Sequence, residues 1–229
     1  MTRLLAVETS SEACSVALSL DGDARERHEQ APMRHAELLL PAISGLLEEA
    51  GMRVADLDAI AFGRGPGSFT SLRIGIGVVQ GLAWAADIPV VPCSSLAAIA
   101  HAAVKRVDAF DGRVCVAVDA RMQEVFNAEF TGLAGRPPRL VGAERVCAAG
   151  AVTGLSPGPW IAAGNGFERF SELAALAGGA TACFADLWPR ASCIAELALD
   201  WLTGHAALPA SLAQPVYVRN DVAEKPAPG

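Results

Sequence analysis

The sequence predicts an α/β protein of two similar lobes, and three observations carry the prediction. First, a largely apolar run from Leu57 to Phe62 leads through Gly63-Arg64-Gly65-Pro66-Gly67 into a stretch from Leu72 to Ala86 with no charge after Arg73. That order reads as strand, glycine loop, buried helix. Second, a short hydrophobic strand ends at an acid twice, at Glu8 and at Asp119, and a turn and second strand follow each time. Aligning the two acids sets Val7 on Val118 and Ala17 on Ala128. Third, Trp160 to Ala163, Gly164-Asn165-Gly166 and a helix from about Phe167 to Leu176 repeat the strand, glycine turn, helix order. Two-lobed actin-like and sugar-kinase-like (ASKHA) folds are built from such duplicated hairpin-plus-helix lobes.

Taken in order, Leu4 to Thr9 is a short strand and Ala13 to Leu20 its hairpin partner. Asp21-Gly22-Asp23 is a turn, and the polar stretch Ala24 to Gln30 suits an edge strand. From about Arg34 to Ala50 the pattern is helical. Leu39, Ile43, Leu46 and Ala50 mark one face, and Ala36, Leu40 and Leu47 mark another, so burial on more than one side is expected. Pro41 is expected to kink this helix or shift its start, and Gly51 closes it. Ser68 and Thr70 are expected to cap the helix after the glycine loop. Pro89 to Pro92 is a strand, and Ser94 or Ser95 caps a helix from Leu96 to about Val104.

The charged, turn-like segment Lys105 to Gly112 marks the lobe boundary, giving a first lobe of 1–105 and a second of 106–190. Val114 to Val118 and Glu124 to Thr131 form the second hairpin. Gly132 to Pro159 is rich in glycine and proline, with short strand-like pieces such as Leu140-Val141. Ser192 is expected to cap a helix at about 192–204 that packs back on the first lobe, and the tail 220–229 is expected to be loose.

Composition narrows the function. The formal net charge is -7 over 229 residues, and no lysine-arginine cluster appears, so the chain should bind nucleic acid poorly by itself. The six cysteines are scattered without a CxxC pair, which argues against a zinc ribbon. Cys14, Cys93, Cys115 and Cys193 read as small core residues. Met1-Thr2-Arg3 leads straight into a strand, which does not read as a signal peptide. The uncharged run Val146 to Phe167 is broken by Gly154, Pro157, Gly158 and Pro159, so no spanning helix is expected there and the cytoplasm is the expected compartment.

The chemical motifs are eroded. A Walker A loop needs Gly-Lys-Ser/Thr, and here Gly67 is followed by Ser68-Phe69-Thr70. Glu8-Thr9-Ser10 keeps an acid and hydroxyls but lacks the glycine that lets phosphate approach, and Asp119-Ala120-Arg121 lacks both glycine and hydroxyl. Glu8, Thr9, Ser10, Asp119, Gly164 and Gly166 therefore read as a vestigial nucleotide cleft. His28, His35, His101 and His205 show neither HxxxH nor HExxH spacing, so no metal is expected. Ser68 lies in no nucleophile elbow, because Thr70 stands where glycine is needed. No cofactor is expected. Gly75, Gly77 and Gly81 lie inside the central helix, each at a cost of about 1 kcal/mol. Either tight packing on the chain's own sheet or contact with a partner chain would offset that cost.

The string GRGPGSFTSLRIG resembles the signature of the bacterial TsaB (YeaZ) family. The family typically has Gly-Leu-Arg after the threonine, and Ser71 stands at the glycine position. Leu5 to Ser10, His35 to Leu39, Asp119 to Phe126 and Pro215 to Arg219 are similar to the same family, in its order. The resemblance implies the two-lobed fold and a non-catalytic subunit that supports the transferase TsaD. That machinery forms N6-threonylcarbamoyladenosine next to the anticodon of tRNAs reading codons beginning with A. It also implies an assembly joined by TsaE, with the threonylcarbamoyl-adenylate made by TsaC. Contact with tRNA would come only through the complex, and a homodimer would form when the chain is alone. The expected partner face comprises His35, Leu39, Ile43 and Leu46 of the first helix and Thr70, Leu72, Arg73, Gly75, Gly77 and Gly81 of the central one. The rival readings are a small-molecule kinase or ATPase of the actin-like fold, and a peptidase.

Overall fold

A computed structural model describes residues 2–153 and 157–218; Arg219 and the tail 220–229 lie outside the described residues. Two five-stranded sheets repeat one plan. In the first lobe β1 (Arg3–Glu8), β2 (Ala13–Leu20) and β3 (Asp23–Gln30) form an antiparallel meander, and β4 (Ala59–Gly63) and β5 (Val90–Cys93) add in parallel on the other side of β1. The order is β3-β2-β1-β4-β5. The second lobe copies it with β6 (Asp111–Arg121), β7 (Glu124–Leu133), β8 (Arg136–Ala148), β9 (Trp160–Ala163) and β10 (Ala182–Phe184), in the order β10-β9-β6-β7-β8. This is the duplicated, two-lobed actin-like arrangement that the hairpin echo at Glu8 and Asp119 predicts.

Strand alternation sorts side chains by size. Leu5, Val7, Val16, Leu18, Ile60 and Phe62 face the layer made by α1 (His35–Glu49) and α2 (Phe69–Ala86). The opposite face presents Ala6, Ala17, Ala59 and Ala61, and these small residues let α6 (Ala191–Leu202) pack close through Ile194, Ala195 and Ala198. In the second lobe Val114, Val116, Phe130 and Ile161 face α3 (Ser95–Val104), while Cys115, Ala117, Val125 and Ala162 face α4 (Gly166–Arg169) and α5 (Ser171–Ala177). The two long connecting helices are thus exchanged. α3 leaves the first sheet and covers the second, and α6 leaves the second and covers the first.

Several local expectations need correction. Residues 136–148 form one long strand rather than a loop with strand-like pieces. Pro137, Pro138 and Gly142 are tolerated because β8 is the sheet's edge and its pairing with β7 slips register twice. Ser68 does not cap α2; its Oγ lies 3.0 Å from Ser71 Oγ instead. Ser94, by contrast, caps α3 by accepting the Ala97 N–H at 3.0 Å. α6 is capped from another strand: Glu26 of β3 accepts the Ser192 N–H at 3.1 Å, and Ser15 of β2 accepts that of Ala191 at 2.9 Å. α2 is the only described helix long and apolar enough to cross a membrane, yet its Leu72, Ile76, Val79 and Ala83 side is buried in its own lobe.

Candidate partner-binding face

The end of β1 lies against the glycine loop and the start of α3, with its polar groups already engaged. Glu8 is fully buried. Its Oε1 accepts the Ser10 N–H at 2.6 Å and its Oε2 the Ser95 hydroxyl at 2.7 Å. Burial pushes this carboxyl above the usual glutamate range, against the pull of the Ser10 and Ser95 hydrogen bonds. A Cβ at Gly63 would overlap the Glu8 carboxylate, so that glycine exists to seat this side chain. Thr9 donates to the Ser71 carbonyl at 2.9 Å and fills the space a Cβ at Gly75 would need. Gly67 leaves room for the Ser10 carbonyl, which also accepts the Ser68 N–H at 2.7 Å. Glu8, Thr9 and Ser10 are therefore drawn together with the glycine loop, and the glycines receive neighbouring protein atoms.

The second lobe behaves alike. Asp119 is half-buried, with its side chain only 7% exposed; its backbone N–H donates to Asn165 Oδ1 at 2.9 Å, and its Oδ2 lies 3.3 Å from Arg169 Nε and 3.7 Å from Arg121 Nη1. Cβ atoms at Gly164 and Gly166 would sit 2.6 and 2.8 Å from the Ala117 carbonyl oxygen. Both glycines thus serve close packing of α4 on β6.

Two of the ion pairs that join the lobes lie beside these residues. Arg121 Nη2 lies 3.0 Å from Glu12 Oε1, so the two equivalent hairpin turns meet. Arg64 Nη1 lies 2.9 Å from Glu144 Oε2, and Ser94 donates to the other oxygen of Glu144. Glu144 and Ser94 were not foreseen as site residues; they come from β8 and the α3 cap, and only the fold brings them to the glycine loop. Among the described residues no group of three His, Cys, Asp or Glu side chains is placed to hold a metal ion.

The expected partner face divides in two. His35, Leu39, Ile43 and Leu46 are buried in the first lobe, with His35 Nε2 3.2 Å from the Ala13 carbonyl oxygen. These four hold α1 to its own sheet and are not on the surface. Leu72 is buried too, and Gly75 is committed to Thr9. Thr70, Arg73, Gly77 and Gly81 are exposed, and among the described residues a Cβ at Gly77 or Gly81 would meet nothing within 4 Å. With Phe69 and Trp84, exposed at 50% and 71%, they form one stripe of α2 at three- and four-residue spacing. Trp84 was missed by the sequence reading, although a tryptophan one turn beyond Gly81 was a usable signal. Tyr217 was missed because it comes from the chain's far end. It lies against Phe69 with ring centroids 5.3 Å apart, and its hydroxyl accepts Arg73 Nε at 3.0 Å.

The family model described as TsaD, tRNA N6-adenosine threonylcarbamoyltransferase, matches residues 28–223. The chain is 37% identical to the tRNA threonylcarbamoyladenosine biosynthesis protein TsaB of Escherichia coli K12, over 99% of each chain. It is 38% identical to the protein of that description from Haemophilus influenzae, over 99% of this chain and 97% of the other. Among solved structures, YeaZ from Pseudomonas aeruginosa superposes with a TM-score of 0.86 at 42% identity, covering 95% of this chain and all of that one.

Proposed function

The chain belongs to the TsaB (YeaZ) family, and from that premise we propose that it is a non-catalytic subunit that supports the transferase TsaD. The relatives' names put the family in tRNA threonylcarbamoyladenosine biosynthesis. The finer reading is that TsaD docks on α2, that TsaE joins the assembly, and that tRNA reading codons beginning with A is met through the complex. A net charge of -7 agrees with a subunit that does not grip RNA alone.

The observation that carries the reading is the open stripe of α2. Gly77 and Gly81 each weaken an exposed helix by about 1 kcal/mol, and among the described residues a Cβ at either would meet nothing within 4 Å. Close approach of another backbone is the return that offsets this. Phe69, Arg73 and Trp84 at the ends of the stripe are of the kinds that dominate interface energies. The internal contacts of Glu8, Thr9 and Ser10 favour this reading over the kinase one, because their polar groups are bonded within the chain and their atoms fill the space beside Gly63, Gly75 and Gly67.

The test is reconstitution. TsaD is titrated with the chain by calorimetry, and threonylcarbamoyl transfer to tRNA is assayed with TsaC, TsaD and TsaE, with and without it. Binding and dependence of transfer on the chain are expected, with Gly77→Leu weakening both. Normal binding and transfer by Gly77→Leu would remove α2 from the contact. ATP hydrolysis that follows the isolated chain through successive columns would overturn the non-catalytic role.

A further inference from the structure

Arg73 is the one cation on the open stripe, and the fold holds it in a fixed pose. Its guanidinium carbon lies 3.8 Å above the centre of the Phe69 ring. Its Nε donates to the Tyr217 hydroxyl at 3.0 Å. Tyr217 is itself anchored: the Val216 N–H donates to the Arg64 carbonyl at 2.8 Å, and the Val216 carbonyl lies over Gly65, where a Cβ would stand 3.3 Å from it. The end of the described chain thus crosses the glycine loop and turns one arginine into a rigid fork. Stacking and the Nε bond use the side of the guanidinium that faces the protein. Among the described residues its two terminal nitrogens have no acceptor, and the side chain is exposed. A planar fork of two N–H-bearing nitrogens matches a carboxylate, and the ordering cost has been met before binding.

We propose that the Phe69–Arg73–Tyr217 clamp is the specificity-determining point of the α2 face and that it receives an acidic side chain of TsaD. This rests on the reading of α2 as the TsaD-facing surface. It assigns to Tyr217 a positioning role and to Arg73 the direct contact.

The experiment measures TsaD affinity by calorimetry across a salt series, using the full chain and its Arg73→Gln, Arg73→Lys, Tyr217→Phe and Gly77→Leu variants. Arg73→Gln should weaken binding about thirtyfold, roughly 2 kcal/mol, and flatten the salt dependence. Arg73→Lys keeps the charge without the fork and should recover only part of the affinity; Tyr217→Phe should lose about threefold at unchanged melting temperature. One Asp or Glu of TsaD, changed to its amide, should have no further effect on the Arg73→Gln variant, which identifies the acid by a double-mutant cycle. If both Arg73 variants bind within twofold of wild type while Gly77→Leu binds poorly, the clamp is refuted and the α2 interface stands. If the wild-type chain does not bind TsaD, both fall. If Arg73→Gln keeps full TsaD affinity but the complex loses tRNA, the fork reads phosphate and the proposal is overturned.

Discussion

Gly75 and Gly77 sit two positions apart in α2 and should respond to the same substitution with opposite signs. At Gly75 a new Cβ would overlap Thr9 Oγ1 and lie 3.1 Å from both Thr9 Cβ and Cγ2. Thr9 would have to swing away and release the Ser71 carbonyl, a hydrogen bond worth about 1 kcal/mol. Overpacking adds about 1–3 kcal/mol, and the better helix propensity of alanine returns about 1 kcal/mol. The net expectation for Gly75→Ala is a loss of about 2 kcal/mol, which for a chain of this size lowers Tm by roughly 4–8 °C. At Gly77 the Cβ meets nothing within 4 Å, so Gly77→Ala keeps only the propensity gain and should raise Tm by roughly 2–4 °C. Differential scanning calorimetry of the two variants beside wild type decides the matter. A fall in Tm for Gly77→Ala equal to that for Gly75→Ala would refute the division of α2 into a packed side and an open side.

Three further outcomes are expected. Glu8 has a folded-state pKa above its unfolded value, so its favourable contribution is complete below the unfolded value and is lost as pH rises through the folded one. Glu8→Gln should therefore melt above wild type at pH 8, with the gap closing toward pH 4 in a melting series. Glu196 is held at about 2 by its hydrogen bonds to His101 and Lys105, so its contribution is present above the unfolded value and lost as pH falls toward 2. Allowing for solvent screening of a side chain that is 34% exposed, Glu196→Gln should cost about 1–2 kcal/mol at pH 7, measured by urea unfolding, and almost nothing near pH 2. The isolated chain should scatter light as a dimer at micromolar concentration, and Trp84→Glu should return it to a monomer that keeps the wild-type circular dichroism, since Trp84 is exposed; a dimer indifferent to that change would place self-association elsewhere.

Local features were legible in the sequence, and those settled by distant residues were not. The run from Leu57 to Ala86 declares strand, glycine loop and helix because each signal lies within a few residues of the next. The helix from His35 was also plain, but it is apolar around most of its girth. Its pattern cannot say whether the sheet takes Leu39, Ile43 and Leu46 or the Leu40 side, and the sheet takes the first three. The glycines of α2 show the same limit. Thr9, 62 positions before Ser71, decides that Gly75 faces inward. Residues 136–148 read as a loop because proline and glycine discount a strand, whereas antiparallel pairing to β7 at an exposed edge tolerates both. Glu8, Thr9 and Ser10 stand out in the sequence by their place after the first strand, and the structure engages them with the glycine loop and Ser95. Glu144 and Tyr217 do not stand out, since their partners Arg64 and Arg73 lie 80 and 144 positions away.

The exchange of α3 and α6 between the sheets sets a timetable for biosynthesis. The strands of the first lobe have all been synthesised once Cys93 is made, but the helix that covers their alanine face starts at Ala191. At about 5–20 residues per second, the ribosome needs several seconds or more to supply that interval. Through that time Leu4, Ala6, Ala17 and Ala61 have no lid, while α3 waits for β6, β7 and β9. Neither lobe can finish before the other has begun, so the nascent chain matures late and as a unit, and a fragment ending at residue 105 would present a bare apolar sheet to whatever chaperone or neighbour meets it first.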